Sequence, residues 1–171
     1  MYENLSYLCE TELGILAYTQ GQWHSMLDEV ILLRHLSAHL DPMTRTCIVG
    51  ETDPFVASLL QRFAEASGLA VVRVQVGQDL PDLVRQVLPV VIILDAELPG
   101  KIRGWEAARE LKSDAETSRI PIISCSWLTE AKARALVDTA AGHLQKPDLH
   151  YEDFVAALQA VGVEIGRQIA D

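Results

Sequence analysis

Asp95 closes the run Val90-Val91-Ile92-Ile93-Leu94-Asp95, which places a carboxylate at the carboxyl end of a short, uniformly apolar stretch. Pro89 precedes the run and Leu98-Pro99-Gly100 follows it, so the stretch reads as a strand buried on both faces of a parallel sheet. Ligand sites in open α/β sheets lie just beyond such strand ends. Asp95 is therefore either a loop cap or a member of a ligand site, and its neighbours decide which. If the strand Thr46 to Gly50 lies beside it, Glu51, Thr52 and Asp53 come close to Asp95 and make an acidic pocket. Carboxylates so gathered repel one another, and a hard cation such as Mg²⁺ relieves the repulsion. Glu51 and Asp53 serve either that cation or the first turn of the following helix. Ser126 follows a further strand and offers a hydroxyl to the same pocket. Lys146-Pro147 ends the last strand, where an X-Pro turn could aim the ammonium inward at the acids.

These residues need a scaffold, and from Thr44 onward short apolar strands alternate with helical stretches in the manner of a doubly wound parallel sheet. Strands are expected at Thr46 to Gly50, Leu69 to Val74, Val90 to Leu94, Ile120 to Ser124 and Gly142 to Gln145. Helices are expected at Pro54 to Ala66, with Asp53 as N-cap and Pro54 at the first position, and then at Leu80 to Leu88, Trp105 to Lys112 and Thr129 to Ala140. A last helix is expected from Tyr151 to Ile169, burying Phe154, Val155, Leu158, Val161 and Ile165. Right-handed crossovers then predict a five-stranded α/β sheet of order 2-1-3-4-5, the flavodoxin-like class.

Residues 1–43 depart from that alternation. Leu5, Leu8, Leu13 and Leu16 suggest one helix, and Trp23, Met26, Leu27, Val30, Leu33, Leu36 and Leu40 put an apolar stripe on a second, ended by Asp41-Pro42. The expected division is a helical extension, 1–43, and an α/β domain, 44–171. A stripe of this kind must be covered, by a second copy or by the domain's own surface, and a homodimer through residues 1–43 is the expectation.

The 171 residues suffice for one domain with a substantial core and a small appendage. A net charge of −10 argues against nonspecific nucleic-acid binding, and within residues 1–43 Arg34 stands alone against Glu3, Glu10, Glu12, Asp28, Glu29 and Asp41. No apolar run approaches the roughly 18 residues of a membrane span, and the first residues lack a basic signal-peptide start. A cytoplasmic protein that meets other proteins is expected. Cys9, Cys47 and Cys125 are odd in number and widely spaced, which suits reduced, packed thiols.

The ordered set Ile48-Val49-Gly50-Glu51-Thr52-Asp53-Pro54, Asp95 with Leu98-Pro99-Gly100, Gly104-Trp105-Glu106, Glu110-Leu111-Lys112-Ser113-Asp114, Ile120-Pro121-Ile122-Ile123 and Lys146-Pro147 resembles the receiver domain of two-component response regulators. The resemblance covers almost all of Thr44 to Val163. It implies that Asp95 accepts a phosphoryl group from the phosphohistidine of a sensor histidine kinase or phosphotransfer protein. It further implies that Mg²⁺ sits on Glu51, Asp95 and the Glu97 backbone carbonyl, with Asp53 a further candidate. Lys146 and Ser126 would stabilise the phosphoryl oxygens. The chain departs from the family pattern in four places. Thr52 replaces the second of two adjacent acids, the loop between Asp95 and Gly104 looks longer than usual, and the stretch from Ser126 to Lys146 looks shorter. His143 stands where the family often carries a switching aromatic. It reads as a solvent-facing strand residue.

The implied function is a response regulator receiver in phosphorelay signalling, not an enzyme beyond phosphoryl acceptance and self-dephosphorylation. With the chain ending soon after the last helix, its output is expected to be contact with a downstream protein target. The alternative, prompted by Thr52 and the irregular loops, is a pseudo-receiver that serves as a phosphorylation-independent interaction module.

Overall fold

In the computed structural model, which describes Tyr7–Thr11, Gly14–Tyr18 and residues 45–166, the chain divides into two units, Met1–Thr44 and Arg45–Asp171. In the first unit, Tyr7–Thr11 (β1) and Gly14–Tyr18 (β2) pair antiparallel, with Tyr7 opposite Tyr18 and Thr11 opposite Gly14. This corrects the helix expected there. The leucine spacing is compatible with a helix, but Tyr7, Thr11, Ile15 and Tyr18 are strand formers and Gly14 disfavours a helix interior. The expected second helix, with its stripe from Trp23 to Leu40, lies outside the described residues.

The second unit is built on Thr46–Gly50 (β3), Ala70–Val74 (β4), Val91–Leu94 (β5), Ile122–Ser126 (β6) and Gly142–Gln145 (β7), all parallel in the order β4-β3-β5-β6-β7. Numbered within the sheet this is 2-1-3-4-5, as expected. Every residue of β5 and β6 is buried, and so are Cys47 to Gly50 of β3. Alternate residues feed two apolar layers, as the two-residue strand period requires. On one face Cys47, Val49, Ile93, Ile123, Cys125 and Leu144 pack with helices Pro54–Ala66 (α1) and Tyr151–Ala160 (α5), through Val56, Leu60, Ala64, Phe154 and Leu158. On the other, Ile48, Ile92, Leu94 and Ile122 pack with Leu80–Val87 (α2) and Gly104–Ser113 (α3), through Leu80, Val84, Ala107, Ala108 and Leu111. A short helix, Glu130–Leu136 (α4), covers the same face near β7. Among the described residues no helix is long and apolar enough to cross a membrane.

Several boundaries differ from expectation, β6 among them in running on to Ser126, and three of the differences have a clear local reason. β6 begins at Ile122 rather than Ile120, because Pro121 has no N–H to give to a ladder while its carbonyl still accepts from Ile92 N at 3.0 Å. α4 stops at Leu136 rather than Ala140, with Val137 already out of helical geometry ahead of the poor helix formers Asp138 and Thr139. α5 ends at Ala160, not Ile169, because Gly162 adopts a left-handed φ of 80°. The chain then turns back, and Gly166 N donates to Ser67 O at 3.0 Å.

Leu88 follows α2 with φ 47° and ψ 59°, a left-handed conformation that strains any residue with a Cβ. Its side chain is 61% exposed and so contributes little packing. Leu88→Gly is expected to stabilise the domain by about 1 kcal/mol, read as a rise of a few degrees in thermal midpoint. An unchanged or lower midpoint would show that the left-handed turn costs nothing at this position.

Candidate functional site

Three strand ends deliver the site. β3 passes into Glu51, β5 into Asp95 and β7 into Lys146, and the parallel register sets these exits along one edge of the sheet. Asp95 is held at its backbone by Asp95 N donating to Gly50 O at 2.9 Å, and Lys146 by Lys146 N donating to Ser126 O at 2.9 Å. The Lys146–Pro147 peptide is cis. The Lys146 ammonium donates to Asp95 Oδ2 at 2.6 Å and pairs with Glu51 Oε2. Its side chain is only 1% exposed, against 2% for Glu51 and 14% for Asp95. The sequence-predicted triad of Glu51, Asp95 and Lys146 is thus brought together.

Each carboxylate is further oriented by backbone donors. Glu51 Oε1 accepts from Thr52 N at 2.8 Å and Asp53 N at 2.9 Å, while Asp95 Oδ1 accepts from Glu97 N at 2.8 Å. The Asp95 loop is pinned by Leu98 N to Asp95 O, Gly104 N to Leu98 O and Trp105 N to Ala96 O, each at 3.0 Å. A Cβ on Gly104 would lie 2.2 Å from the Asp95 carbonyl oxygen, so only glycine lets α3 begin this close. Trp105 lines a cavity of about 270 Å³ with Glu97, Arg103 and Leu136.

Burial alone would pull the Lys146 ammonium down from the ordinary lysine range, but its hydrogen bond to Asp95 and its close pairing with Glu51 outweigh that and the net shift is upward. The ammonium is thereby held charged. Burial raises the nearby Cys125 thiol to about 12, with Lys146 opposing and Glu51 and Asp95 adding to the rise. Cys47 is likewise raised to about 12 by burial, so both thiols are inert packing groups.

The donor set bears on whether a cation fits. Glu51 Oε2 is buried and, although it touches the ammonium, has no aligned hydrogen-bond donor. Among the described residues, the carbonyls of Asp95, Ala96, Leu98 and Pro99 all accept backbone hydrogen bonds, whereas that of Glu97 accepts none. An under-satisfied carboxylate oxygen, a second carboxylate and a free carbonyl are the oxygen donors a hard cation uses. Among the described residues no three His, Cys, Asp or Glu side chains cluster as a cage, which leaves water and phosphate to fill the remaining positions of any ion here.

Other predicted residues are placed less directly. Asp53 N-caps α1, its Oδ1 accepting from Phe55 N at 2.9 Å and Val56 N at 3.0 Å, so the structure shows it in the helix-cap role. Thr52 is exposed. Ser126 is fully buried and its Oγ accepts from Leu128 N at 3.2 Å, without a hydrogen bond to Asp95 or Lys146. His143 is not solvent-facing. It is half-buried, with Nδ1 2.8 Å from Ser124 Oγ. Gln145 escaped the sequence reading, although its Nε2 donates to Trp127 O at 3.3 Å and Lys146 O at 3.0 Å. The signal was available in Ser124, Ser126, His143 and Gln145, four polar residues at two-residue spacing in strands that should be apolar.

A five-stranded parallel sheet of this order, with an acid, an acid and a lysine at its carboxyl edge, defines a phosphoryl-signalling α/β domain. The response regulator receiver domain model matches residues 47–159, and the chain belongs to that family as the receiver domain of a two-component response regulator. Such a domain is a signalling module. The polar-differentiation response regulator DivK of Brucella ovis is similar at 33% identity over 82 residues, or 48% of this chain and 66% of DivK. Protein PilH of Pseudomonas aeruginosa is similar at 38% identity over 81 residues, or 47% of this chain and 65% of PilH. The matched segment spans just under two thirds of each of these relatives. The receiver domain of the sensor histidine kinase PA1611 from Pseudomonas aeruginosa, crystallised with magnesium coordinated in its active site cleft, superposes with a TM-score of 0.61 at 21% identity over 70% of this chain and 98% of that one. At that identity the likeness is one of fold.

Removing the ammonium would leave two carboxylates together in a buried setting. Lys146→Met is expected to cost about 3 kcal/mol at neutral pH, measured by chemical denaturation. Because the folded-state value of Lys146 is raised, its contribution is complete below the unfolded lysine value of about 10.4 and is lost as pH rises through the folded one. The wild-type protein should therefore show an alkaline loss of stability that Lys146→Met lacks. Equal stabilities across that range would refute the coupling.

Proposed function

We infer that Asp95 accepts a phosphoryl group from the phosphohistidine of a sensor histidine kinase or phosphotransfer protein. The single observation that carries this reading is the Lys146 ammonium on Asp95 Oδ2, buried between two carboxylates at the sheet edge. A carboxylate oxygen of Asp95 attacks phosphorus in line, an O–P bond forms, and the imidazole of the donor leaves with the electron pair of the broken P–N bond. Lys146 stays protonated and follows the negative charge from the carboxylate to the phosphoryl oxygens. Ser126, the last residue of β6, supplies a hydroxyl hydrogen bond to one of them. The Glu97 side chain, exposed beside Asp95, stands where it can influence hydrolysis of the acyl phosphate.

Glu51, Asp95 and the Glu97 carbonyl are the groups that would hold Mg²⁺, with Asp53 taken up as a helix cap. In that place such an ion would supply neutralisation of the charge on the equatorial phosphoryl oxygens. The protein's own residues orient the nucleophile and shield it. The backbone N–H of Glu97 fixes one Asp95 oxygen, and the pinned loop from Ala96 to Gly104 keeps that geometry.

The output is contact with a downstream protein, in keeping with a net charge of −10 that disfavours nucleic acid, and the setting is cytoplasmic. Thr52 favours a second reading. With a neutral residue beside Glu51 the domain could act as a pseudo-receiver whose contacts do not depend on phosphate. Incubation with Mg²⁺ and a small phosphodonor decides between them by intact mass. A base-labile phosphoryl adduct on the wild-type chain, absent in Asp95→Asn, is expected, and no adduct under conditions that modify an ordinary receiver would favour the pseudo-receiver.

Residues 1–43 serve as the homodimer contact on this reading. Sedimentation at tens of micromolar is expected to give a dimer, and a monomer whose mass per chain is indifferent to loss of those residues would remove the proposal.

A further inference from the structure

β6 and β7 run in register with Ser124 opposite His143 and Ser126 opposite Gln145, so four polar side chains occupy one face of the sheet at its edge. The next inward residue on that face of β6 is Ile122, part of the apolar layer beneath α2, α3 and the end of α4. Ser124 is 2% exposed and Ser126 is fully buried, and polar groups so placed must find partners. The Gln145 amide finds two. Its Nε2 donates to the carbonyls of Trp127 and Lys146, and reversing the amide would set Oε1 against both oxygens. Its orientation is thereby determined, and Oε1 faces His143 Nε2 at 3.5 Å.

An acceptor at that position fits the ring tautomer that carries its proton on Nε2. Nδ1 is then bare, and the Ser124 hydroxyl 2.8 Å away must donate to it. One directed chain results, from the Ser124 hydroxyl through the imidazole to the Gln145 carbonyl oxygen, and from the Gln145 amide to two backbone carbonyls. Those carbonyls belong to the Ser126-Trp127-Leu128 turn and to the residue whose ammonium holds Asp95. Ser126 Oγ meanwhile accepts from Leu128 N inside the same turn.

We propose that Gln145, oriented by the two carbonyls it meets, is a positioning residue that latches the Ser126–Leu128 turn to the Lys146 backbone and holds the Ser126 hydroxyl away from the phosphoryl position until the turn is released. This rests on the reading of Asp95 as phosphoryl acceptor. The Ser126 hydroxyl has no hydrogen bond to Asp95 or to the Lys146 side chain in the resting arrangement, and the Ser126 carbonyl is held by Lys146 N at 2.9 Å, so reaching a phosphoryl oxygen requires the turn to shift. The Gln145 amide is the side-chain contact that opposes such a shift from the β7 side. Trp127, 58% exposed, adds no burial to hold the turn in place.

The test measures the rate of phosphoryl adduct formation from a small phosphodonor with Mg²⁺, in the full chain. Gln145→Met keeps the volume and removes both donors, and is expected to react about 3- to 10-fold faster, the factor that loss of one ordinary hydrogen bond supplies. That acceleration should vanish when Ser126→Ala is added, because a merely loosened fold would speed both backgrounds alike. Equal rates for wild type and Gln145→Met, or the same acceleration without the Ser126 hydroxyl, would overturn the latch while leaving phosphoryl acceptance standing. No adduct on the wild-type chain would remove phosphoryl acceptance, and the latch with it. Nitrogen-15 spectra of the wild-type imidazole test the chain without any variant. In mildly alkaline buffer the Nε2–H tautomer of His143 is expected, and an Nδ1–H tautomer would overturn the assignment.

Discussion

The rest of the domain depends on one buried ion triad, the Lys146 ammonium between Glu51 and Asp95. Taking three charges out of water is costly, and mutual attraction offsets that cost only when the geometry is good and every remaining lone pair is served. Here the backbone serves most of them. Thr52 N and Asp53 N meet one oxygen of Glu51, and Glu97 N meets one of Asp95. The exception is Glu51 Oε2, which touches the ammonium without an aligned donor. A site built only for stability would not leave that oxygen under-satisfied, and its position at a carboxyl sheet edge is where function resides in this architecture.

The sheet is what makes the triad affordable. Glu51, Asp95 and Lys146 come from far apart in sequence, and only parallel strands in the order found bring their ends to one edge. Burial of β3, β5 and β6 between two apolar layers makes their exits rigid, which matters because charged hydrogen bonds lose their worth within fractions of an ångström. The Asp95 loop continues that rigidity beyond the strand, with Leu98 buried and Gly104 admitting α3 against the Asp95 carbonyl. Disturbing the packing of Leu98 or the space at Gly104 therefore acts on the carboxylate without touching it.

The residues that announced themselves in sequence were those whose type clashes with their surroundings. Asp95 ends an apolar strand and Lys146 precedes a proline at a strand end, and the alternation of strands and helices was strong enough to predict a doubly wound parallel sheet, whose order was inferred from that class. Reading failed where two patterns overlap or where the outcome is set by side-chain hydrogen bonds. Leu5, Leu8, Leu13 and Leu16 fit a helical spacing, yet the segment also alternates strand-forming residues, and the pairing of β1 with β2 follows the latter. Asp53 could cap or coordinate by type alone, and only its contacts with Phe55 N and Val56 N show the cap. Ser126 has the right type and position, but nothing in the sequence tells that its hydroxyl turns to Leu128. Gln145 carries no motif at all, and its importance lies in two carbonyls that come near it only after folding.

Thr52 and the Gln145 network have a common physical consequence. A second acid at position 52 would leave the lysine facing a larger excess of negative charge, and a divalent cation would be drawn in strongly to balance it. With a neutral threonine there, one ammonium faces Glu51 and Asp95 alone, and the resting site comes nearer to electrical balance without an ion. The triad then resists the arrival of a phosphoryl group less through repulsion between acids than through the stability of the resting contacts themselves. On the proposed reading, reaction requires Lys146 to pass from a carboxylate to phosphoryl oxygens and the Ser126 turn to shift. Gln145 connects the Lys146 backbone to that turn, so the two adjustments are mechanically one. On that same reading the barrier to activation lies in releasing a closed hydrogen-bonded arrangement, where an additional acid would have placed it in assembling one around a metal.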